Sequence, residues 1–166
     1  MIYWRPVINV MNILFVKQQL WQSLLGHLCD QGKGIQESGA FLLGSINGNQ
    51  RMIRSFLPYE RLQADALHRD YVSLNSDSFS KLWALCREHN VSVVGDVHTH
   101  RFGPQQSRSD RANPMIARKG HMAIIVPRFA QGKIESREVG LHCYQGAHKW
   151  VSVFHSDVGQ YLKIER

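Results

Sequence analysis

The chain has 166 residues, of which 43% are hydrophobic and 20% charged, and it carries a formal net charge of +7. That length supplies one domain with a substantial buried core, and the composition excludes a disordered or fibrous protein. The basic residues are scattered except for Arg101, Arg108, Arg111, Arg118 and Lys119. That concentration reads as a solvated face, or as a surface that steers acidic partners. It lacks the interleaved basic and aromatic pattern of a nucleic-acid module.

In chain order, the apolar run from Met1 to Val16 is broken by Arg5, Pro6, Asn9 and Asn12. It is too short and too polar to span a membrane and lacks the basic start and cleavage site of a signal peptide, so the expected location is cytoplasmic. Residues 7–16 read as a first strand. A helix over 17–31 follows, with Leu20, Leu24 and Leu28 on one face, Trp21 and Leu25 beside them, and Gly32 placed to end it. The apolar stretch 35–44 is the next strand, with Glu37 near its start. Asn47-Gly48 signals a hairpin whose return strand opens at Arg51 and runs to about Leu57. Residues 58–69 are polar and irregular, and 71–74 make a short strand.

Residues 75–90 carry the clearest helical pattern: Phe79, Leu82, Trp83 and Cys86 keep one face, and Asn75, Ser76 and Asp77 offer caps. Trp21 and Trp83 are expected in the core. The β-branched run 91–97 leads into His98, 107–112 is a helical turn, and 121–126 is a buried strand. Val139, Leu141 and Cys143, the turn at Gln145-Gly146, and residues 150–154 form a closing hairpin. The tail from Val158 carries no signal. Cys29, Cys86 and Cys143 are an odd number of thiols set far apart in apolar surroundings, so they are expected buried and unpaired. These elements predict a single α/β domain over 1–166.

The chemistry concentrates at His98-Thr99-His100 and, six residues on, Ser107-x-x-Asp110. In a strand, residues two apart share a face, so both imidazoles aim at one point while Thr99 faces away. A loop returning Asp110 to that point completes a set of two His and one carboxylate. That set leaves a fourth tetrahedral position open, as a catalytic zinc site requires. With 9 His in the chain, a His-x-His arises by composition roughly half a time, whereas the whole pattern arises roughly 1 time in 600. Ser107 and Asp110 also read as a capping box at a helix start, and both readings can hold together. Glu37 also reads as an ordinary strand-end carboxylate, and Asp96 as an acceptor for an imidazole N–H.

His98-Thr99-His100 with Ser107, Asp110 and an upstream Glu37 resembles the JAMM/MPN metalloprotease family, whose signature is Glu, His-Ser/Thr-His, Ser-x-x-Asp. The order helix, Glu-bearing strand, hairpin, helix, His-x-His strand is similar too, over about residues 7–155. The resemblance implies a cytidine-deaminase-like fold, a curved mixed β-sheet flanked by helices. It implies Zn2+ held by His98, His100 and Asp110, with Glu37 as general base and Ser107 as oxyanion donor. The His-to-Ser spacing is one residue shorter than is usual in eukaryotic members, and Arg101 stands where they carry Pro. In this the chain is similar to bacterial members found beside relatives of ubiquitin-activating and ubiquitin-conjugating enzymes, including peptidases of some anti-phage operons. The expected activity is cleavage after the C-terminus of a ubiquitin-like protein, in deconjugation or precursor processing, with residues 58–70 and 101–106 as substrate contacts. The alternatives are a catalytically silent MPN scaffold and a nucleic-acid-associated JAB-like protein.

Overall fold

A computed structural model of the protein describes residues 11–166. The first strand, β1 (Ile13–Lys17), is shorter than expected, and positions 7–10 of that expectation lie outside the described residues. It runs directly into α1 (Gln18–Gly32), which buries Trp21, Leu24 and Leu28 and leaves Leu20 and Leu25 half-buried. Gly32 is still helical; the left-handed cap falls on Lys33 at φ 52°, whose N–H donates to the Cys29 carbonyl. The hairpin β2 (Gly39–Asn47) and β3 (Gln50–Pro58) turns at Gly48-Asn49 with Gly48 at φ 59°, where a residue without Cβ pays no steric cost.

Residues 58–69 depart from the expected irregular, polar loop. They contain α2 (Tyr59–Leu62), and Tyr59, Leu62 and Ala66 are all core. The expected strand at 71–74 shrinks to a single bridge between Leu67 and Val72. The next helix, α3 (Ser76–His89), is capped at both ends: Asn75 Oδ1 accepts from the Ser78 N–H at 2.9 Å, and Asn90 takes φ 51°. Then come β4 (Ser92–Thr99), the short α4 (Arg108–Ala112) and β5 (Met122–Val126). The closing hairpin is β6 (Gly140–Gly146) and β7 (Lys149–Val153). Its turn falls at Ala147-His148, both at positive φ, two residues beyond the expected Gln145-Gly146. The tail forms β8 (Leu162–Glu165), which had no signal of its own.

The eight strands make one mixed sheet in the order β7-β6-β5-β4-β2-β3-β1-β8, with β4–β5, β1–β3 and β1–β8 parallel and the other pairs antiparallel. Helices cover both faces. Alternation along β2 sends Ala40 and Leu42 into the cluster containing Trp21, Leu24 and Leu28 of α1. It sends Phe41 and Leu43 into the cluster with Tyr59, Leu62, Leu82 and Cys86 of α2 and α3. Burying a Leu such as Leu24, Leu28 or Leu82 contributes about 1.5–3 kcal/mol. The three thiols form no disulfide, Cys86 and Cys143 are buried and Cys29 is partly so. Trp83 departs from the core expectation: it is 41% exposed on α3. Among the described residues no helix is long and apolar enough to cross a membrane.

Candidate metal centre

The register between β2 and β4 assembles the site. Gly39 pairs with His98 and Ala40 with Val97. Beyond the strand end the pairing continues: the Thr99 N–H donates to the Ser38 carbonyl at 2.9 Å and the Ser38 N–H donates to Thr99 Oγ1 at 3.0 Å. The next step of that ladder sets Glu37 beside His100. Glu37 therefore lies two residues ahead of β2 rather than inside a strand, and its own N–H donates to the His68 carbonyl at 2.9 Å. Val97 belongs to the α1-side cluster, and Ser38, bonded to Thr99, donates its hydroxyl to Leu28 of α1 at 2.8 Å. Asp96, His98 and His100 therefore face the other way, towards Tyr59. Thr99 thus pins the residue next to Glu37. Thr99→Val, of equal shape, is expected to cost about 1–3 kcal/mol by leaving the buried Ser38 N–H unpaired, read as a lowered denaturation midpoint.

The two imidazoles converge as expected: His98 Nε2 and His100 Nε2 are 3.0 Å apart. Asp110 returns to them, with Oδ1 3.5 Å from His98 Nε2 and Oδ2 3.1 Å from His100 Nε2. Ser107 and Asp110 also form the capping box of α4, each accepting from the other's N–H, at 3.0 Å to Ser107 Oγ and 2.7 Å to Asp110 Oδ2. The cap leaves Asp110 in contact with both imidazoles. Ser107 Oγ accepts from the cap, which leaves its O–H able to donate elsewhere. Glu37 Oε1 stands 3.9 Å from His100 Nε2, just outside the trio.

Bonds of about 2.0–2.1 Å in a tetrahedron place donor atoms about 3.3–3.4 Å apart; the two Nε2 atoms stand 3.0 Å apart, and Asp110 offers Oδ2 to His100 at 3.1 Å and Oδ1 to His98 at 3.5 Å. Glu37, His98 and His100 also bring three potential ligand atoms within 4.8 Å of one another. Burial opposes charge on Asp110, yet hydrogen bonds from His100 and His98 and from the Ser107 N–H hold its carboxyl well below the usual range. Burial alone would lower His98, but Asp110, Asp96 and Glu37 outweigh it and raise the imidazole. Burial pushes Glu37 up to about 7, against the pull of His98 and His100. A carboxyl poised near neutrality is suited to exchanging protons.

Behind the trio lie Asp96, expected as an acceptor for an imidazole N–H, and two histidines that no local signal marked. Asp96 is 2% exposed; it accepts from His121 Nε2 at 2.5 Å and from the Tyr59 hydroxyl at 3.4 Å, with His98 Nδ1 4.0 Å away. The imidazole it bonds is therefore His121, a residue with no expected role. His142 donates from Nε2 to the Pro104 carbonyl at 2.9 Å and accepts at Nδ1 from the Ser152 hydroxyl at 2.7 Å, tying the 101–106 loop to the sheet. Its burial depresses it to about 4, so the ring stays neutral. Arg128, Phe129 and Ala130 follow β5 at φ 55°, 52° and 59°, a left-handed turn of three non-glycine residues, each strained by roughly 1–2 kcal/mol. The Phe129 N–H donates to the His100 carbonyl at 2.9 Å and the Arg128 N–H to the Phe102 carbonyl at 3.3 Å. The turn is thus the anchor for the backbone leaving the site.

Fold and site together define a mixed α/β protein with a His–His–Asp centre and an adjacent protonatable Glu. No protein-family model matches the sequence. The chain is similar in fold to a protein of Desulfitobacterium hafniense in its solution structure, with a TM-score of 0.64 and 17% identity, covering 92% of this chain and 94% of that one. It is similar also to a protein of Salinibacter ruber, with a TM-score of 0.58, 17% identity and coverage of 86% and 91%. At such identity the likeness concerns the fold alone.

Proposed function

We propose that the chain is a zinc-dependent peptidase of the JAMM/MPN type, cleaving after the C-terminus of a ubiquitin-like protein in deconjugation or precursor processing. The observation that carries this reading is the convergence of His98, His100 and Asp110 at zinc-like spacing with Glu37 Oε1 3.9 Å from His100. His98, His100 and Asp110 would hold the ion. Zinc bound there polarises a carbonyl and acidifies water. Glu37, buried beside His100, takes a proton from the attacking water and passes it to the departing amine. The Ser107 O–H donates to the carbonyl oxygen as negative charge develops there, typically worth about 3 kcal/mol. Asp96, fixed by Tyr59 and His121, puts a buried carboxylate 4.0 Å behind the His98 ring.

Exposed apolar side chains close in sequence to the site residues support a polypeptide substrate. Ile35, two residues before Glu37, is 66% exposed, and Phe102, two residues after His100, is 76% exposed. Tyr71, stacked on His68 at 4.3 Å, is 54% exposed. These apolar side chains sit within the expected contact regions or beside them, and an extended protein tail would cover them. The ubiquitin-like substrate and the company of activating- and conjugating-enzyme relatives rest on the motif's resemblance. Purified protein is expected to carry one zinc per chain by elemental analysis, and to cleave a ubiquitin-like fusion in a reaction stopped by chelator and restored by zinc. Folded protein that takes up no zinc would favour the silent scaffold.

A further inference from the structure

A second cleft, of about 730 Å3, opens between α3, the β2–β3 hairpin turn and the segment leading into β5. Arg51, Arg87, Arg118 and Lys119 line it together with Trp83, and no Asp or Glu does. Among the described residues none of these four cations is in an ion pair, whereas Lys17, Arg128 and Arg137 are. Concentrating four uncompensated cations on one concave surface is unfavourable by itself and favours an anion there. Arg51 is only partly exposed, and its burial, with a further push from Arg118, lowers its guanidinium from the ordinary value.

The second observation is Trp83. Its place in the apolar stripe of α3 predicts burial, yet it is 41% exposed and lines the cleft one turn from Arg87. An indole face amid guanidinium groups combines stacking with the planar donor fork that matches phosphate. An acidic peptide would use the cations but not the indole. The volume lies within the roughly 300–1,000 Å3 of small-ligand sites. We propose that this cleft binds a nucleoside phosphate, with the base stacked on Trp83 and the phosphate held by Arg51, Arg118 and Lys119. The nucleotide is either free or part of a single strand. His121, which also lines the cleft, bonds Asp96 behind His98, so the cleft adjoins the back of the metal centre without sharing its proposed ligands.

The test is binding of ATP and of a labelled short oligothymidylate to the full chain by calorimetry and anisotropy at about 50 mM salt. Binding of ATP alone identifies the free nucleotide, and binding of the oligonucleotide, with or without ATP, identifies a strand. In either case Arg51→Gln with Arg118→Gln is expected to weaken binding at least about tenfold. Trp83→Ala is expected to weaken it about tenfold, with Trp83→Phe recovering most of the loss. If the Arg51 variant does not fold, Arg118→Gln with Lys119→Gln, both at exposed positions, carries the same expectation. Arg108→Gln, outside the cleft, leaves binding unchanged. Binding of neither probe overturns the proposal. So does an oligoglutamate that binds as tightly with Trp83→Ala indifferent, or an Arg108→Gln loss equal to that of Arg118→Gln.

Discussion

Glu37→Gln is expected to lower turnover by about 10²–10⁴-fold while zinc stays bound. The amide keeps the shape of the carboxylate and cannot accept the proton. Glu37 lies outside the 3.0–3.5 Å trio, so the proposed ligands remain intact. The pH dependence has a definite sign. In the metal-free chain burial holds the carboxyl at about 7. A bound dication favours its charged form, so the rate of the zinc-loaded protein is expected to climb with pH and level off below 7. Stability moves the other way in the metal-free chain. Below 4.5, the ordinary value, folded and unfolded chains both hold the proton; between there and about 7 only the folded chain does, so rising pH erodes stability. The full penalty, present above 7, is on the order of 3 kcal/mol. Glu37→Gln should therefore raise the melting temperature of metal-free protein above pH 7 and leave it unchanged below 4.5. Normal turnover by this variant would remove Glu37 from the mechanism.

Asp110 substitutions should separate two duties that one carboxylate performs. Asp110→Ala loses both the contact with His98 and His100 and the return bond of the capping box. Zinc affinity should fall by more than the about 10–100-fold that supporting residues are worth, and stability by about 0.5–2 kcal/mol from the lost cap. Asp110→Asn keeps an oxygen for the Ser107 N–H and forfeits the negative charge. It is expected to melt close to the parent and still bind zinc poorly, as read by competition with a chelating dye. An Asn variant with parental zinc affinity would take Asp110 out of the ligand set.

Local chemistry was legible where the cause is local. Asn75 caps α3 as one of the three candidates at its start, and the parity of His98 and His100 follows from strand geometry alone. The Ser107–Asp110 pair signalled a cap, which it forms, and its carboxylate returns to His98 and His100 as the motif led one to expect. What depends on distant partners was illegible. Tyr59, Leu62 and Ala66 lie in a polar-looking stretch and are buried because the α3 side of the sheet needs them. Trp83 keeps helical spacing with Leu82 and Cys86, but the sheet does not reach it. β8 has meaning only through its pairing with β1, and the left-handed turn at Arg128–Ala130 is held by partners on His100 and Phe102. The roles of Asp96, His121 and His142 arise from strands far apart in the chain.

The alignment of Gly39 with His98 carries a consequence for the site. Sliding one strand by a single position would turn the residue 37 carboxyl to the opposite side of the sheet. A pairing so shifted would part that carboxyl from His98 and His100 altogether. The alignment of two strands thus decides whether the carboxyl and the imidazoles meet at all.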